Sequence, residues 1–126
     1  MKKARLVLLI SLITFPTIAM SGPQAQAYVD MRNGMCKAGS MSGALPYVSE
    51  RMVPYVNMMI EMESAMKGSQ ELSDTFAKQC YYGIKVLDQI PVNKQRYIIR
   101  YIDSDGATKE VPVTLERGRW KVDVPN

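Results

Sequence analysis

Methionine is the residue type whose spacing first suggests chemistry in this sequence. The stretch NMMIEMESAM, residues 57–66, holds four of the ten methionines. In a helix, Met59, Met62 and Met66 would share one face, because steps of three and four residues keep side chains on the same side. Thioether sulfur is a soft ligand that suits Cu(I), so this stripe could present three sulfurs to one ion. Methionine also fills core gaps and repacks around varied partners, so a core stripe and a binding surface are the alternatives.

The two cysteines favour a structural role. Cys36 and Cys80 lack C-x-x-C spacing, and the chain contains no histidine, which argues against a zinc site or a redox-active pair. Two cysteines in an oxidising compartment can pair in only one way. We therefore predict a structural disulfide between Cys36 and Cys80.

The usual residues of catalysis are missing from the sequence. There is no histidine, no G-x-S-x-G stretch and no cysteine left free by the predicted disulfide, so the common bases and nucleophiles are absent. Asp103 and Asp105 form a close carboxylate pair. However, D-x-D-G between two alternating segments is typical of a hairpin, and no distal glutamate completes a calcium loop. We predict a non-enzymatic protein without a cofactor.

The first 27 residues predict export. Lys2, Lys3 and Arg5 precede an apolar run over residues 6–13, and Ala25 and Ala27 supply small side chains before a cleavage site. We predict a secretory signal peptide over residues 1–27, cut after Ala27. A single periplasmic or secreted domain over residues 28–126 would follow, with no stable membrane insertion after cleavage.

Removal of that leader also changes the charge. The whole chain has 16 basic and 12 acidic residues and a net charge of +4. Three basic residues and no acidic ones lie in the leader, which leaves 13 against 12 and a net charge of +1. The basic isoelectric point therefore reflects targeting, and we predict no nucleic-acid binding.

Helical periodicity comes first in the chain and strand periodicity second. Residues 28–39 predict a short first helix weakened by Gly34, residues 54–67 a second helix ending before Gly68, and residues 69–80 a third capped by Ser69. Strands are predicted from YYGIKVLDQI, QRYIIRYIDS, TKEVPVTLE and RWKVDV, with turns at DSDG and Arg117-Gly118. Pro112 inside the third strand predicts an edge, a bulge or an outward-facing peptide. The expected fold class is α+β: N-terminal helices packed on a curved antiparallel meander of about four strands.

The segments CKAGSMSGALPYVSERM and YIIRYIDSDGATKEVPVTLERGRWKVD carry a family resemblance. They resemble small exported bacterial members of the nuclear-transport-factor-2-like superfamily, the ketosteroid-isomerase-like or cystatin-like cone. The residues that match the closing strands of that family are Gly106, Val111, Val113, Leu115, Gly118, Trp120 and Val122. The resemblance implies a cone-shaped domain with a pocket that serves a few enzymes and many binding modules, so it does not decide the function.

The function predicted from the sequence is binding. A methionine-lined surface of Met59, Met62 and Met66 opposite Tyr97, Tyr101 and Trp120 would suit a partner protein or a small apolar ligand. An inhibitor or immunity-like role would be one case of partner binding. The alternative is a soft-metal protein that binds Cu(I) through Met59, Met62 and Met66. Exposed methionines on this stripe would favour binding, and full burial would weaken it.

Overall fold

Three α-helices and two short 3₁₀ helices precede a four-stranded antiparallel sheet in the computed structural model, which describes residues 22–125. The elements are α1 (Pro23–Ala38), 3₁₀ helices Met41–Tyr47 and Glu50–Met52, α2 (Val53–Ala65), α3 (Gln70–Tyr82), β1 (Lys85–Asn93), β2 (Arg96–Ile102), β3 (Thr108–Glu116) and β4 (Arg119–Val122). This order confirms the α+β class. No helix among the described residues has the length and apolar character needed to cross a membrane.

Helix α1 is longer than predicted. It begins at Pro23, a residue that suits the first helical position because its missing N–H has no helical partner there. It ends before Gly39, whose φ of 64° provides the left-handed turn. Residues 1–21, most of the predicted leader, lie outside the described residues.

Helix α1 continues through Gly34, where the absence of a side chain lets another part of the chain approach closely. A Cβ at Gly34 would lie 2.6 Å from the carbonyl oxygen of Gly43 and 2.7 Å from the Tyr47 ring. A Cβ at Gly43 would overlap the backbone of Gly34 in turn. The two glycines therefore allow α1 and the 3₁₀ helix Met41–Tyr47 to pack backbone against backbone.

Helices α2 and α3 begin and end near the predicted places. Pro54 lies in the first turn of α2, and the Ser69 hydroxyl accepts a hydrogen bond from the Leu72 amide at the start of α3. The disulfide between Cys36 and Cys80 is present, with a Cα–Cα distance of 5.7 Å, and joins α1 to α3. Tyr81 and Tyr82 end α3 and do not begin the first strand, so that part of the strand prediction was wrong.

The sheet is a meander with strand order β1-β2-β3-β4. Its turns follow the predicted signals: Gly106 has a φ of 82°, and Arg117 and Gly118 have φ values of 52° and 78°. Pro112 pairs with Ile98 in β3, a central strand. Of the three alternatives predicted for Pro112, the edge and the bulge are therefore wrong, since the β2–β3 register runs through Pro112 without a shift. The Pro112 carbonyl accepts a hydrogen bond from the Asp123 amide at 2.9 Å.

The two outer strands of the sheet differ. Val48 forms an isolated parallel bridge to Val122, and the Ser49 amide donates to the Val122 carbonyl at 2.8 Å, so the chain before α2 covers β4. The opposite outer strand, β1, has register shifts between Val86 and Asp88 and between Pro91 and Asn93.

Helix α1 and the sheet enclose the core. Ile99, Val113 and Val122 are at most 1% exposed on the face of the sheet that packs against the helices. The other apolar core members are Ala25, Ala27, Tyr28, Met31, Met35, Ala44, Val48, Val56 and Tyr101. The methionines buried in this core, Met31 and Met35, belong to α1; of the predicted stripe on α2, Met59 packs partly against the core, whereas Met62 and Met66 are exposed.

Candidate binding surface

Helix α2 carries apolar side chains on two neighbouring faces. Its inner side packs through Val56, which is 1% exposed, with Met59 and Ile60 partly buried against the core. Its outer side presents Tyr55, Met58 and Met62, followed by Met66 just after the helix, with exposed fractions of 53%, 52%, 57% and 45%. We call these four residues the α2 ridge. The spacings of three and four residues place them along one line of the helix surface.

A groove opens between α2 and α3 at the Met66 end of the ridge. Its volume is about 680 Å³. Apolar side chains from both helices line it, among them Ile60, Met66, Leu72 and Phe76, and the Cys36–Cys80 disulfide forms part of the wall. We call it the α2–α3 groove. Its volume lies within the range of about 300–1,000 Å³ that is typical of small-molecule sites.

The polar side chains at the rim of the groove are partly engaged within the fold. Glu63 accepts hydrogen bonds from the Ser40 hydroxyl at 2.7 Å and the Met41 amide at 2.9 Å. Ser69 caps α3. Lys67 lies at the rim and forms no ion pair within 4.0 Å among residues 22–125. The groove therefore combines an apolar wall with one available cation at its edge.

A second, smaller depression lies at the Tyr55 end of the ridge. It has a volume of about 330 Å³ and is bounded by α2 and the end of the chain. Its lining residues are Met52, Tyr55, Met58, Met59, Val124 and Pro125. Tyr55 and Met58 thus belong to the ridge and to this depression, as Met66 belongs to the ridge and to the groove. Apolar surface consequently runs along α2 from one depression to the other.

The structure divides the six residues predicted for the site. Met62 and Met66 lie on the exposed ridge, whereas Met59 turns partly toward the core and lines the second depression. Tyr101 is 6% exposed and packs against Tyr28, with ring centroids 4.6 Å apart.

Tyr97 and Trp120 form a separate pair on the sheet. Their rings pack edge to face with centroids 5.3 Å apart. Trp120 also lines a cleft of about 520 Å³ beside Pro23 and Tyr47, away from the residues that line the groove. The aromatic half of the predicted site and its methionine half therefore do not line one cavity.

The three methionines proposed as Cu(I) ligands do not line one common cavity. Met59 lines the second depression, Met66 lines the α2–α3 groove, and Met62 lines neither. Among residues 22–125 there is no group of three or more cysteine or acidic side chains placed to hold a metal ion. Nothing in this part of the chain supports the Cu(I) alternative.

A buried charge centre near the second depression was not foreseen from the sequence. The Asp123 carboxylate is 2% exposed and accepts hydrogen bonds from Ser49 Oγ at 2.6 Å and from Arg51 at 2.7 and 2.9 Å. Arg96 Nη1 contacts it at 2.7 Å. Burial alone would raise the pKa of Asp123, but the hydrogen bonds from Arg51, Ser49 and Arg96 outweigh it and hold the pKa well below its usual range. Asp123 is thus ionised and fully engaged within the fold.

A second charged cluster fixes α1 against the β2–β3 hairpin. Asp103 contacts Arg32 at 3.2 Å and Lys109 at 2.9 Å. Burial opposes ionisation of Asp103, yet the hydrogen bonds from Lys109 and the Ser104 amide and the charge of Arg32 lower its pKa. Asp105 also pairs with Lys109, at 3.2 Å. The carboxylate pair noted in the sequence therefore serves the hairpin.

Comparison with known proteins gives one structural likeness. No protein-family model matches the chain, and no curated protein matches it. The fold is similar to a solved structure from Campylobacter jejuni named as an NTF2-like transpeptidase, with 15% sequence identity and a TM-score of 0.47. The match covers 79% of this chain and 97% of that one. A likeness of this size assigns no activity.

Proposed function

We propose that this protein is a non-enzymatic binding module of the periplasm, and that its binding surface is the α2 ridge together with the depressions at its two ends. The exposure of the ridge is the observation that carries the proposal. A helix that packs on a core normally turns charged and polar residues toward solvent. Helix α2 instead exposes a line of four apolar side chains that no other part of residues 22–125 covers, so this side can meet a partner protein or an apolar ligand.

The residue types of the ridge suit recognition. Aromatic residues and methionine are enriched at protein interfaces relative to the rest of the surface. Methionine is flexible and polarizable, so it can repack around ligands of different shapes. Surface patches of this kind mark interaction sites more often than scattered apolar residues do. The ridge is not needed to attach α2 to the core, because Val56 on the inner side of the helix is already buried.

The shape of the surface favours an elongated occupant. From Tyr55 to Met66 the helix rises about 16 Å, at about 1.5 Å per residue. An amphipathic helix of a partner could lie along this length with its apolar side chains in the two depressions, which is a common mode of recognition. A small apolar ligand would use the α2–α3 groove alone.

Site-specific photo-crosslinking in the periplasm tests the proposal. A photoreactive amino acid at Met58 or Met62 is expected to give discrete adducts, and the same group at Lys94, an exposed residue between β1 and β2, is the matched control. The variant Met62→Glu should remove the adducts formed through Met58, because it places a charge in the apolar surface. Equal crosslinking at Lys94 and at the ridge would contradict the proposal.

Ligand capture is measured separately. Titration with an uncharged apolar fluorescent dye, N-phenyl-1-naphthylamine, should show saturable binding that weakens in Phe76→Ala, a change within the groove. Met62→Glu lies outside the groove lining and serves as the control. Dye binding that is unchanged in Phe76→Ala would remove the groove from the proposed surface and leave the ridge.

A further inference from the structure

Helix α1 crosses the point at which the sequence predicts signal-peptide cleavage. The helix runs from Pro23 to Ala38, so the bond between Ala27 and Tyr28 lies within its second turn. We propose that the secretory signal is instead removed by hydrolysis of the Ser21–Gly22 peptide bond, so that the mature protein begins at Gly22. This inference rests on the sequence-based prediction of a secretory signal and is independent of the proposed binding function.

The segment that a cut after Ala27 would remove belongs to the hydrophobic core. Ala25 is 1% exposed and Ala27 is 7% exposed, which is as buried as the neighbouring Tyr28 at 5%. Their small side chains let α1 lie close to the sheet. A chain that lacked residues 22–27 would expose the core surface that they cover.

The same segment satisfies polar groups of strand β1. The Ala25 amide donates to Gln89 Oε1 at 3.2 Å, and Gln89 Nε2 donates to Gln24 Oε1 at 3.2 Å. Gly22 packs on the same side chain, since a Cβ there would lie 2.6 Å from Gln89 Nε2. Cleavage after Ala27 would leave the partly buried Gln89 amide without these partners, which costs free energy unless water replaces them.

The new amino terminus also distinguishes the two cleavage sites. Cleavage after Ala27 would place an α-ammonium group on Tyr28, a buried residue that packs against Tyr101. Bringing a charge to such a position is unfavourable when no counter-charge is provided. Gly22 precedes the helix as its N-cap and accepts the first helical hydrogen bond from Gln26 at 2.9 Å, so a terminus there leaves α1 intact.

The sequence permits the earlier bond. Ala19 and Ser21 place small side chains at the third and first positions before the Ser21–Gly22 bond, which is the pattern that signal peptidases read. Hydrolysis adds one water molecule, leaving a carboxylate on Ser21 and an amino group on Gly22. Small residues therefore precede both candidate bonds, and only the earlier one preserves the fold.

The test uses the full chain, exported from a Gram-negative host with its own leader. Amino-terminal sequencing and intact mass of the periplasmic product should give a start at Gly22. Ser21→Phe should abolish that product, because a bulky residue at the first position before the bond blocks cleavage. Ala27→Phe is the matched control and should leave the early processing of pulse-labelled precursor unchanged, a readout that does not require the variant to fold.

Four results would overturn the inference. They are a mature chain that starts at Tyr28, a start at any other residue, an unprocessed chain, and a processing defect in Ala27→Phe that Ser21→Phe does not share. A second measurement compares purified chains that begin at Gly22 and at Tyr28. The shorter chain should unfold at a lower temperature or fail to fold, and equal stability of the two chains would contradict the argument from packing.

Discussion

Arg96 and Asp123 form an enclosed ion pair at the end of the sheet. Arg96 Nη1 lies 2.7 Å from Asp123 Oδ2, and the two side chains are 12% and 2% exposed. Arg51 approaches the same carboxylate from the helical side and is itself 57% exposed. The carboxylate thus ties the chain before α2 to β2 and to the residues after β4, three segments that are distant in the sequence.

We expect Asp123→Asn to destabilise the protein strongly. The substitution leaves the Arg96 guanidinium buried without its counter-charge, and breaking a buried pair in this way costs about 3–5 kcal/mol. For a domain of this size the unfolding temperature falls by about 4–8 °C per kcal/mol. Thermal unfolding followed by circular dichroism measures the change. Asp88→Asn is the control, because Asp88 is 48% exposed and exposed pairs contribute about 0–1 kcal/mol. Equal effects of the two variants would contradict the role given to Asp123.

The same carboxylate should make stability depend on acid pH. The pKa of Asp123 is lowered in the folded protein, and the unfolded value is about 3.9. Its contribution is therefore fully present above the unfolded pKa and is lost as pH falls through the folded pKa. Asp103, whose pKa is also lowered, acts in the same direction. Urea unfolding between pH 7 and pH 2 should show a loss of stability below about pH 4, and the loss should be smaller in Asp123→Asn. A flat profile in the wild type would rule out this contribution.

Gly34→Ala should reverse the usual effect of such a change. In an exposed helix interior, alanine is more favourable than glycine by about 1 kcal/mol. At Gly34 the new methyl group would collide with the Gly43 carbonyl and the Tyr47 ring, so we expect a loss of stability. Denaturant unfolding measures whether the free energy of unfolding rises or falls in Gly34→Ala. Asn33→Ala is the adjacent control, because Asn33 is exposed and the change should be neutral or slightly stabilising. A stabilised Gly34→Ala would show that the two backbones can separate at no cost.

Methionines on the two helices should respond differently to substitution. Met35 of α1 is 8% exposed, and its replacement by alanine should cost about 2–5 kcal/mol, as is typical of core truncations. Met62 of the α2 ridge is 57% exposed, and Met62→Gln should change stability by about 0.5 kcal/mol or less. Chemical denaturation of both variants measures the two changes in the free energy of unfolding. A large loss in Met62→Gln would mean that the ridge serves the fold of the single chain and not a partner.

Loss of the disulfide should affect α3 more than the sheet. The bond closes a loop with a sequence separation of 44, and removing it costs about 4 kcal/mol in the chain-entropy account. None of the residues of α3 is buried, so the covalent link to α1 is a main constraint on this helix. In Cys36→Ser/Cys80→Ser, amide exchange should accelerate first over residues 70–82. Equal acceleration of amide exchange in α3 and in the sheet would contradict this prediction, because it would indicate that the two unfold together.

The parts of the fold that depend on local signals could be predicted from the sequence. The β2–β3–β4 meander follows from alternating side chains and from turns at Gly106 and Arg117-Gly118, which are decided by neighbouring residues. The Ser69 cap is equally local. The disulfide was predictable because the chain has only two cysteines.

The remaining features depend on contacts between distant segments. Small residues at positions 25 and 27 fit a cleavage signal and a close helix–sheet contact equally well, so the start of α1 could not be read from them. Periodicity placed Met59, Met62 and Met66 near one face, but it could not show which side of α2 the rest of the chain covers. The partners of Asp123 are 27, 72 and 74 residues away, and no local pattern links them.

The two outer strands bear on how this protein would behave at high concentration. Unpaired strand edges allow sheets to grow by addition of further chains, which is the route to fibrils. Here Val48 and Ser49 contact the outer side of β4 at Val122, while β1 is interrupted by two register shifts and contains Pro91, which has no amide to donate. Within residues 22–125, an added strand would therefore meet an occupied Val122 on one side and an irregular strand on the other. The apolar ridge through which the molecule could self-associate lies on a helix, whose backbone hydrogen bonds are already satisfied. Self-association through the ridge should accordingly give small, reversible oligomers that dissolve on dilution.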